Sequence, residues 1–126
     1  MLLDTHVFLW ATNDVGRLSP AAAAAIQSPA NEVLVSIASA WEIAIKVSIG
    51  KFKMPKPLAP YLQHLLTRHE FSILPIQFSH LEALEKLPLH HRDLFDRLLV
   101  AQAIAEEAAL ITVDAQLRRY KVKTIS

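Results

Sequence analysis

Short apolar runs alternate along this chain with longer periodic stretches, and nearly every run ends on a polar or turn-forming residue. Met1–Leu3 is a strand candidate, interrupted by Asp4-Thr5-His6 and followed by an apolar helical stretch through Trp10. Residues 19–28 predict a helix, because Ser19 can cap it, Pro20 suits its first position and five alanines follow. Val33–Ser36 is a second strand. Ile37–Ile49 is a helix whose only charges are Glu42 and Lys46; it stops at Gly50 and is expected to be buried on most sides. A loop over 50–57, carrying Pro55 and Pro57, leads to an amphipathic helix at Leu58–His69. Phe71–Ile76 then predicts a strand, Ser79–Leu87 a short helix, and Asp93–Ala108 the longest periodic segment. Leu110–Val113 is a fourth strand, with a short helix to Tyr120 and a last strand over Val122–Ile125.

Strands that alternate with helices from end to end predict a parallel sheet covered on both faces, a three-layer α/β/α domain. The first strand offers only three residues before Asp4, so its pairing is expected to be marginal.

Composition narrows the chemistry. A chain of 126 residues is expected to form one domain, spanning 1–126. No apolar run approaches the roughly 20 residues of a spanning helix and no secretory start is present, so a cytoplasmic protein with no membrane partner is expected. The absence of cysteine excludes disulfides, thiolate nucleophiles and Cys-type zinc sites. Any metal must be held by carboxylates or by some of the six histidines. A net charge of +1 does not announce a nucleic-acid binder, although Lys46, Lys51, Lys53 and Lys56 cluster mid-chain and Arg118, Arg119, Lys121 and Lys123 near the end.

The candidate chemistry lies in Asp4, Glu42, Asp96 and Asp114. Asp4 and Asp114 directly follow predicted strands, and in open α/β sheets ligands bind beyond the strands' carboxyl ends. Each also suits the role of helix cap. Glu42 stands among small and apolar helical neighbours, with Lys46 one turn away as either its ion-pair partner or a phosphate contact. Asp96 shares the apolar face of its helix yet lies in the first turn, where Asp93 and Asp96 also imitate a capping box. Were the four carboxylates to converge, their mutual repulsion would call for a divalent cation. His90 and His91 are adjacent, so their side chains should diverge, and a surface or loop role is expected for both; Trp10, Trp41 and Phe95 are expected in the core or at a dimer contact.

Met1-Leu-Leu-Asp-Thr-His-Val-Phe-Leu-Trp10, Ser36-Ile-Ala-Ser-Ala-Trp-Glu-Ile43, His91-Arg-Asp-Leu-Phe-Asp-Arg-Leu-Leu-Val-Ala-Gln-Ala103 and Leu110-Ile-Thr-Val-Asp114 stand in the order of the four sequence blocks of PIN-domain ribonucleases. The chain resembles that family over nearly its full length, and within it the VapC-like toxins of toxin-antitoxin pairs. The resemblance implies a PIN fold and Mg2+- or Mn2+-dependent endonucleolytic cleavage of single-stranded RNA. It puts Asp4, Glu42, Asp96 and Asp114 at the family's acidic, metal-binding positions. Asp93, Thr5 and Ser39 would support them, Lys46 and Arg97 would contact RNA, and the partners would be a cognate antitoxin and a second copy of the chain. Leu94 departs from the pattern, standing where relatives commonly carry proline, and is expected to alter the start of that helix.

Two other classes compete. A phospho-acceptor receiver domain would need an acidic pair after the first strand, an Asp after the middle strand and a Lys after the last, none of which the chain offers. A non-catalytic PIN-like binding protein is the second rival, and Glu42 discriminates: paired with Lys46 on the surface and turned away from the other acids, it would favour that reading.

Overall fold

A computed structural model describes residues 1–126. Five strands form one sheet in the order β3-β2-β1-β4-β5, with every neighbouring pair parallel. The strands are β1 (Leu2–Leu3), β2 (Leu34–Ser36), β3 (Ser72–Leu74), β4 (Leu110–Ile111) and β5 (Thr124–Ile125). Six α-helices connect them: α1 (Thr5–Asn13), α2 (Pro20–Gln27), α3 (Ile37–Ser48), α4 (Leu58–His69), α5 (Phe78–Glu85) and α6 (Leu94–Ala105). The short segment after β4, Ala115–Arg119, is a 3-10 helix.

Consecutive strand residues face opposite sides of a sheet, and the two cores follow that rule. Leu3 and Ile111 pack with Val7 and Phe8 of α1, Ile43 of α3 and Leu62 and Leu65 of α4. Leu2 and Leu110 pack on the other face with Leu98, Leu99 and Ala103 of α6 and with Leu117 and Tyr120. The result is the expected three-layer α/β/α arrangement.

The expectation of marginal pairing for the first strand is overturned. β1 is the central strand, flanked by β2 and β4, and Leu2 and Leu3 are fully buried. Burying such a leucine is worth roughly 1.5–3 kcal/mol, so two residues suffice where both faces are covered. Beyond the sheet ladder, the terminal ammonium donates to the Glu32 carbonyl oxygen at 2.8 Å.

The helix starts are written in side chains. Ser19 accepts from the Ala22 N–H (3.0 Å) at α2, Ser36 from Ala38 (2.9 Å) at α3 and Asp93 from Asp96 (3.0 Å) at α6. Leu94 leaves the α6 cap intact and lies exposed at the first helical position. Several elements are shorter than predicted. β3 ends at Leu74 because Pro75 follows it, and α6 ends at Ala105, two residues before Glu107 adopts a left-handed φ of 53°.

Helix α3 is not buried on most sides. Ala38, Ser39, Glu42 and Ile43 face inward, but Ile37, Trp41, Ile45 and Ile49 recur every fourth residue along an outer stripe, with Trp41 54% and Ile49 60% exposed. Trp41 is therefore not a core residue; its ring meets Phe95 of α6 edge-on, 5.0 Å between centroids. Buried Gln102 of α6 closes a polar link under the sheet edge, accepting from the Ser36 hydroxyl and lying 3.2 Å from Nδ1 of buried His80.

Candidate metal centre

A strand order of 3-2-1-4-5 reverses direction between β1 and β4, and such a switch point opens a crevice at the strands' carboxyl edge. Asp4 leaves the end of β1 on one side of that crevice, and Thr112-Val113-Asp114 leaves the end of β4 on the other. The first two turns of α3 and the start of α6 bring Ser39, Glu42, Asp93 and Asp96 to the same edge.

Asp4 is nearly buried, with both carboxylate oxygens engaged: Oδ1 accepts from the Val7 N–H at 2.9 Å, capping α1, and Oδ2 accepts a short bond from the Thr112 hydroxyl. Burial raises its pKa; the bonds from Thr112 and Val7 oppose the rise, and the Glu42 charge adds to it. Thr112 Oγ1 in turn accepts the Asp114 N–H at 3.1 Å, so one hydroxyl ties both sides of the crevice together. Sequence reasoning missed Thr112. Its signal was a polar residue in an otherwise apolar strand, two positions before an Asp.

Glu42 is 6% exposed, and its Oε1 accepts the Thr5 hydroxyl at 2.7 Å. Ser39 Oγ lies 3.0 Å from that same Thr5 oxygen. Glu42 Oε2 meets Lys46 Nζ at 2.7 Å. Both sequence expectations for Glu42 thus hold at once: it pairs with Lys46, and it is buried toward the crevice, where its charge is felt by Asp4 and Asp96. Lys46 is committed to this pair and lies 5.3 Å from the Phe52 ring centroid.

Asp96 is the most perturbed of the acids. Its carboxyl is pushed up to about 7, first by burial and then by Asp93, with Asp4 and Glu42 adding to the rise and His91 opposing it. Asp114 caps the 3-10 helix by accepting the Gln116 N–H at 2.9 Å through Oδ1, which leaves Oδ2 turned to His91 Nε2 at 2.9 Å. Asp96 Oδ2 lies 3.4 Å from the same nitrogen.

His91 corrects the sequence reading that set it aside as a surface or loop residue. It does lie in a loop and its side chain does diverge from that of His90, but its ring lies on the carboxylates. The Asp93 N–H donates to its Nδ1 at 3.0 Å, so Nε2 carries the proton and donates to Asp114. Arg97 braces the same loop: its guanidinium donates to the Pro88 carbonyl oxygen (3.1 Å), with the Tyr120 hydroxyl 3.4 Å away.

The donor set suits a hard divalent cation. Nε2 of His91 and carboxylate oxygens of Asp96 and Asp114 lie within 4.8 Å of one another, and because both ring nitrogens of His91 are engaged, the free lone pairs there belong to the carboxylates. A carboxylate has about four acceptor positions, and the hydrogen bonds to Asp4, Glu42 and Asp114 leave lone pairs on each. Oxygen-rich sites of this kind suit Mg2+ or Mn2+, and a cation would offset the charge that Asp93, Asp4 and Glu42 add to a carboxyl raised first by its burial.

Comparison with known proteins agrees with the fold and the ordered sequence blocks. The PIN domain family model matches residues 1–123. Ribonuclease VapC22 of Mycobacterium tuberculosis is 32% identical over 123 residues, covering 96% of this chain and 92% of that protein. Ribonuclease VapC16 of the same organism is 40% identical over 57 residues, a match that takes in 45% of this chain and only 40% of that protein. Among solved structures, VapBC2 from Rickettsia felis, bound to a promoter DNA fragment, superposes with a TM-score of 0.73 at 18% identity, covering 98% of this chain and 96% of that one. FitAcB from Neisseria gonorrhoeae gives 0.67 at 17% identity, covering 99% and 96%. With the family model spanning almost the whole sequence and a VapC ribonuclease aligned nearly end to end, the chain belongs to the PIN-domain family and resembles its VapC-type members.

Proposed function

We propose that this chain is a metal-dependent endoribonuclease that hydrolyses phosphodiester bonds of single-stranded RNA, acting in the cytoplasm as the toxin of a toxin-antitoxin pair. The observation that carries the reading is geometric. Asp114 and Asp96 approach the same His91 nitrogen at 2.9 and 3.4 Å, the Thr112 hydroxyl ties Asp4 to Asp114 across the crevice, and Glu42 is buried on Thr5, the residue next to Asp4. A fold does not gather such charge at a switch point for stability, since close carboxylates repel.

Asp4, Glu42, Asp96 and Asp114 would hold Mg2+ or Mn2+. When bound, such an ion supplies Lewis acidity toward a phosphoryl oxygen and lowers the pKa of water. The residues themselves provide rigidity. Thr112 and the Val7 N–H fix the Asp4 carboxylate, while Thr5, backed by Ser39, fixes Glu42. Asp93 caps α6 and so sets the height of Asp96, and Asp114 holds its own turn. Lys46 and Arg97 would meet phosphates flanking the cut by exchanging their present partners, Glu42 and the Pro88 carbonyl oxygen. The outer stripe of Ile37, Trp41, Ile45 and Ile49 supports pairing with a second copy of the chain, since a contiguous apolar face seeks cover. A cognate antitoxin would cap the crevice. The rival reading of a non-catalytic scaffold would be favoured by a Glu42 paired with Lys46 on the surface and turned away from the other acids; the pair is present, but Glu42 is buried against Thr5, which supports the enzyme reading.

Purified chain freed of bound partner should cleave a mixed single-stranded RNA pool with Mg2+ or Mn2+ and fail to do so in EDTA. Asp4→Asn should abolish cleavage with its circular dichroism unchanged. Cleavage by Asp4→Asn at the wild-type rate would overturn the assignment.

A further inference from the structure

A cavity of about 690 Å3 lies between α5, the end of α6 and the segment following the 3-10 helix. That volume is within the roughly 300–1,000 Å3 of small-ligand pockets. Leu87, Ile104 and Tyr120 contribute apolar surface, and Lys86, Arg119 and Lys121 contribute positive charge against the single acid Glu82. None of these three cations makes an ion pair or a side-chain hydrogen bond within the chain, so their charge is unspent.

The cavity is joined to the carboxylates by one peptide unit. His90 lines it, its ring edge-on to Tyr120 with 5.0 Å between centroids, and the next residue, His91, lies on Asp96 and Asp114. The Tyr120 hydroxyl accepts the N–H groups of both histidines, at 3.1 and 3.0 Å, and so fixes the wall between the two places.

We propose that this cavity is a substrate subsite for a nucleotide that flanks the scissile phosphate, with sugar and base against the apolar surface and phosphate oxygens on Lys86, Arg119 and Lys121. The proposal rests on the ribonuclease reading. It goes beyond that reading by assigning a built pocket, outside the acidic crevice, to the strand being cut. Charge complementarity selects a phosphate-bearing ligand, and continuity through His90-His91 selects one that also reaches the carboxylates, which a polymer does and a free nucleotide does not.

The test is equilibrium binding of a fluorescently labelled, mixed-sequence 12-nucleotide RNA to the full chain carrying Asp96→Asn, which separates binding from cleavage. Adding Arg119→Glu with Lys121→Glu should weaken binding by at least tenfold. It should also flatten the slope of log K against log salt by about 1.4, at about 0.7 for each phosphate of a single strand that is no longer neutralised. Ala105→Trp, which fills the cavity from the exposed end of α6 without changing charge, should weaken binding by roughly tenfold and leave the slope unchanged. Arg68→Glu, on α4, which packs against the other face of the sheet, should leave binding within twofold. If charge reversal weakens binding but Ala105→Trp does not, the cations act as a diffuse surface and the subsite is overturned. If neither matters, it is overturned outright, and capture of polyglutamate that is abolished in the same variants would assign the cavity to an acidic protein partner instead. Absence of RNA binding by the parent Asp96→Asn chain would overturn the ribonuclease reading along with the subsite, which sets the two failures apart.

Discussion

Replacing Asp96 with asparagine should make the metal-free protein more stable at neutral and alkaline pH while removing its activity. The folded chain holds the Asp96 proton up to about 7, against 3.8 for an ordinary aspartate. Between those values the native state binds more protons than the unfolded state, so stability falls as pH rises, and above about 7 the penalty is complete. At about 1.36 kcal/mol per pH unit the gap corresponds to about 4 kcal/mol. The Asp96 side chain is 25% exposed, and screening by that solvent reduces the figure to roughly 2 kcal/mol. Asparagine keeps the shape and has no charge to lose. Urea unfolding in EDTA should therefore show the variant matching wild type near pH 4 and exceeding it by roughly 2 kcal/mol at pH 8. Adding Mn2+ at pH 8 should stabilise wild type and leave the variant nearly unmoved, because a ligand that binds only the native state raises stability in proportion to its affinity. A variant equal to or weaker than wild type at pH 8 in EDTA would refute the claim that burial and the neighbouring acids strain this carboxyl.

Other perturbations separate framework from chemistry. Thr112→Val keeps the shape of a buried side chain but removes the bond to Asp4 and the acceptor for the Asp114 N–H; unfolding free energy should drop by about 1–3 kcal/mol and Mn2+ affinity should fall, both readable by calorimetry. Leu2→Ala opens the central strand and should cost about 2–5 kcal/mol in urea unfolding, far more than an unanchored N-terminal residue would. Trp41→Glu should shift the chain toward monomer in analytical ultracentrifugation with its fold retained, and an unchanged sedimentation coefficient would separate the α3 stripe from self-association.

Much of the architecture could be read from local patterns, because capping residues and strand-ending polar residues are short-range signals. Ser19-Pro20, Ser36 and Asp93 mark helix starts that the structure reproduces within a residue. The rank of β1 in the sheet was not legible: three residues before Asp4 look like an edge, and only the pairings with Leu34 and Leu110 make them central. The outward stripe of α3 was present in the every-fourth-residue spacing of Ile37, Trp41, Ile45 and Ile49, but a sparsely charged helix carries apolar residues on every side and does not say which face is covered. His91 escaped for a different reason. Adjacency to His90 correctly implied divergent side chains, yet divergence sends one ring to the cavity and the other to the acids, and which goes where depends on Tyr120, thirty and twenty-nine positions away.

Capping and ligation were posed as alternatives for these aspartates, and the geometry leaves room for one carboxylate to serve both. An aspartate that accepts a backbone N–H has lost most of its rotamer freedom, and what that bond fixes is the direction of the other oxygen. Asp4 gives Oδ1 to Val7 and Oδ2 to Thr112, and Asp114 gives Oδ1 to Gln116 and turns Oδ2 into the crevice. Asp93 spends its carboxylate on Asp96 N–H and its own N–H on His91, so one residue sets both the first turn of α6 and the tautomer of the ring beside it. Caps occur where chains turn from strand to helix, and in a parallel sheet those turns gather at one edge. A fold that caps its helices with aspartates at the switch point therefore brings carboxylates together already oriented. The remaining requirement is an acid from inside a helix, beyond the reach of any cap, and Glu42 meets it by borrowing the Thr5 hydroxyl from the first turn of α1.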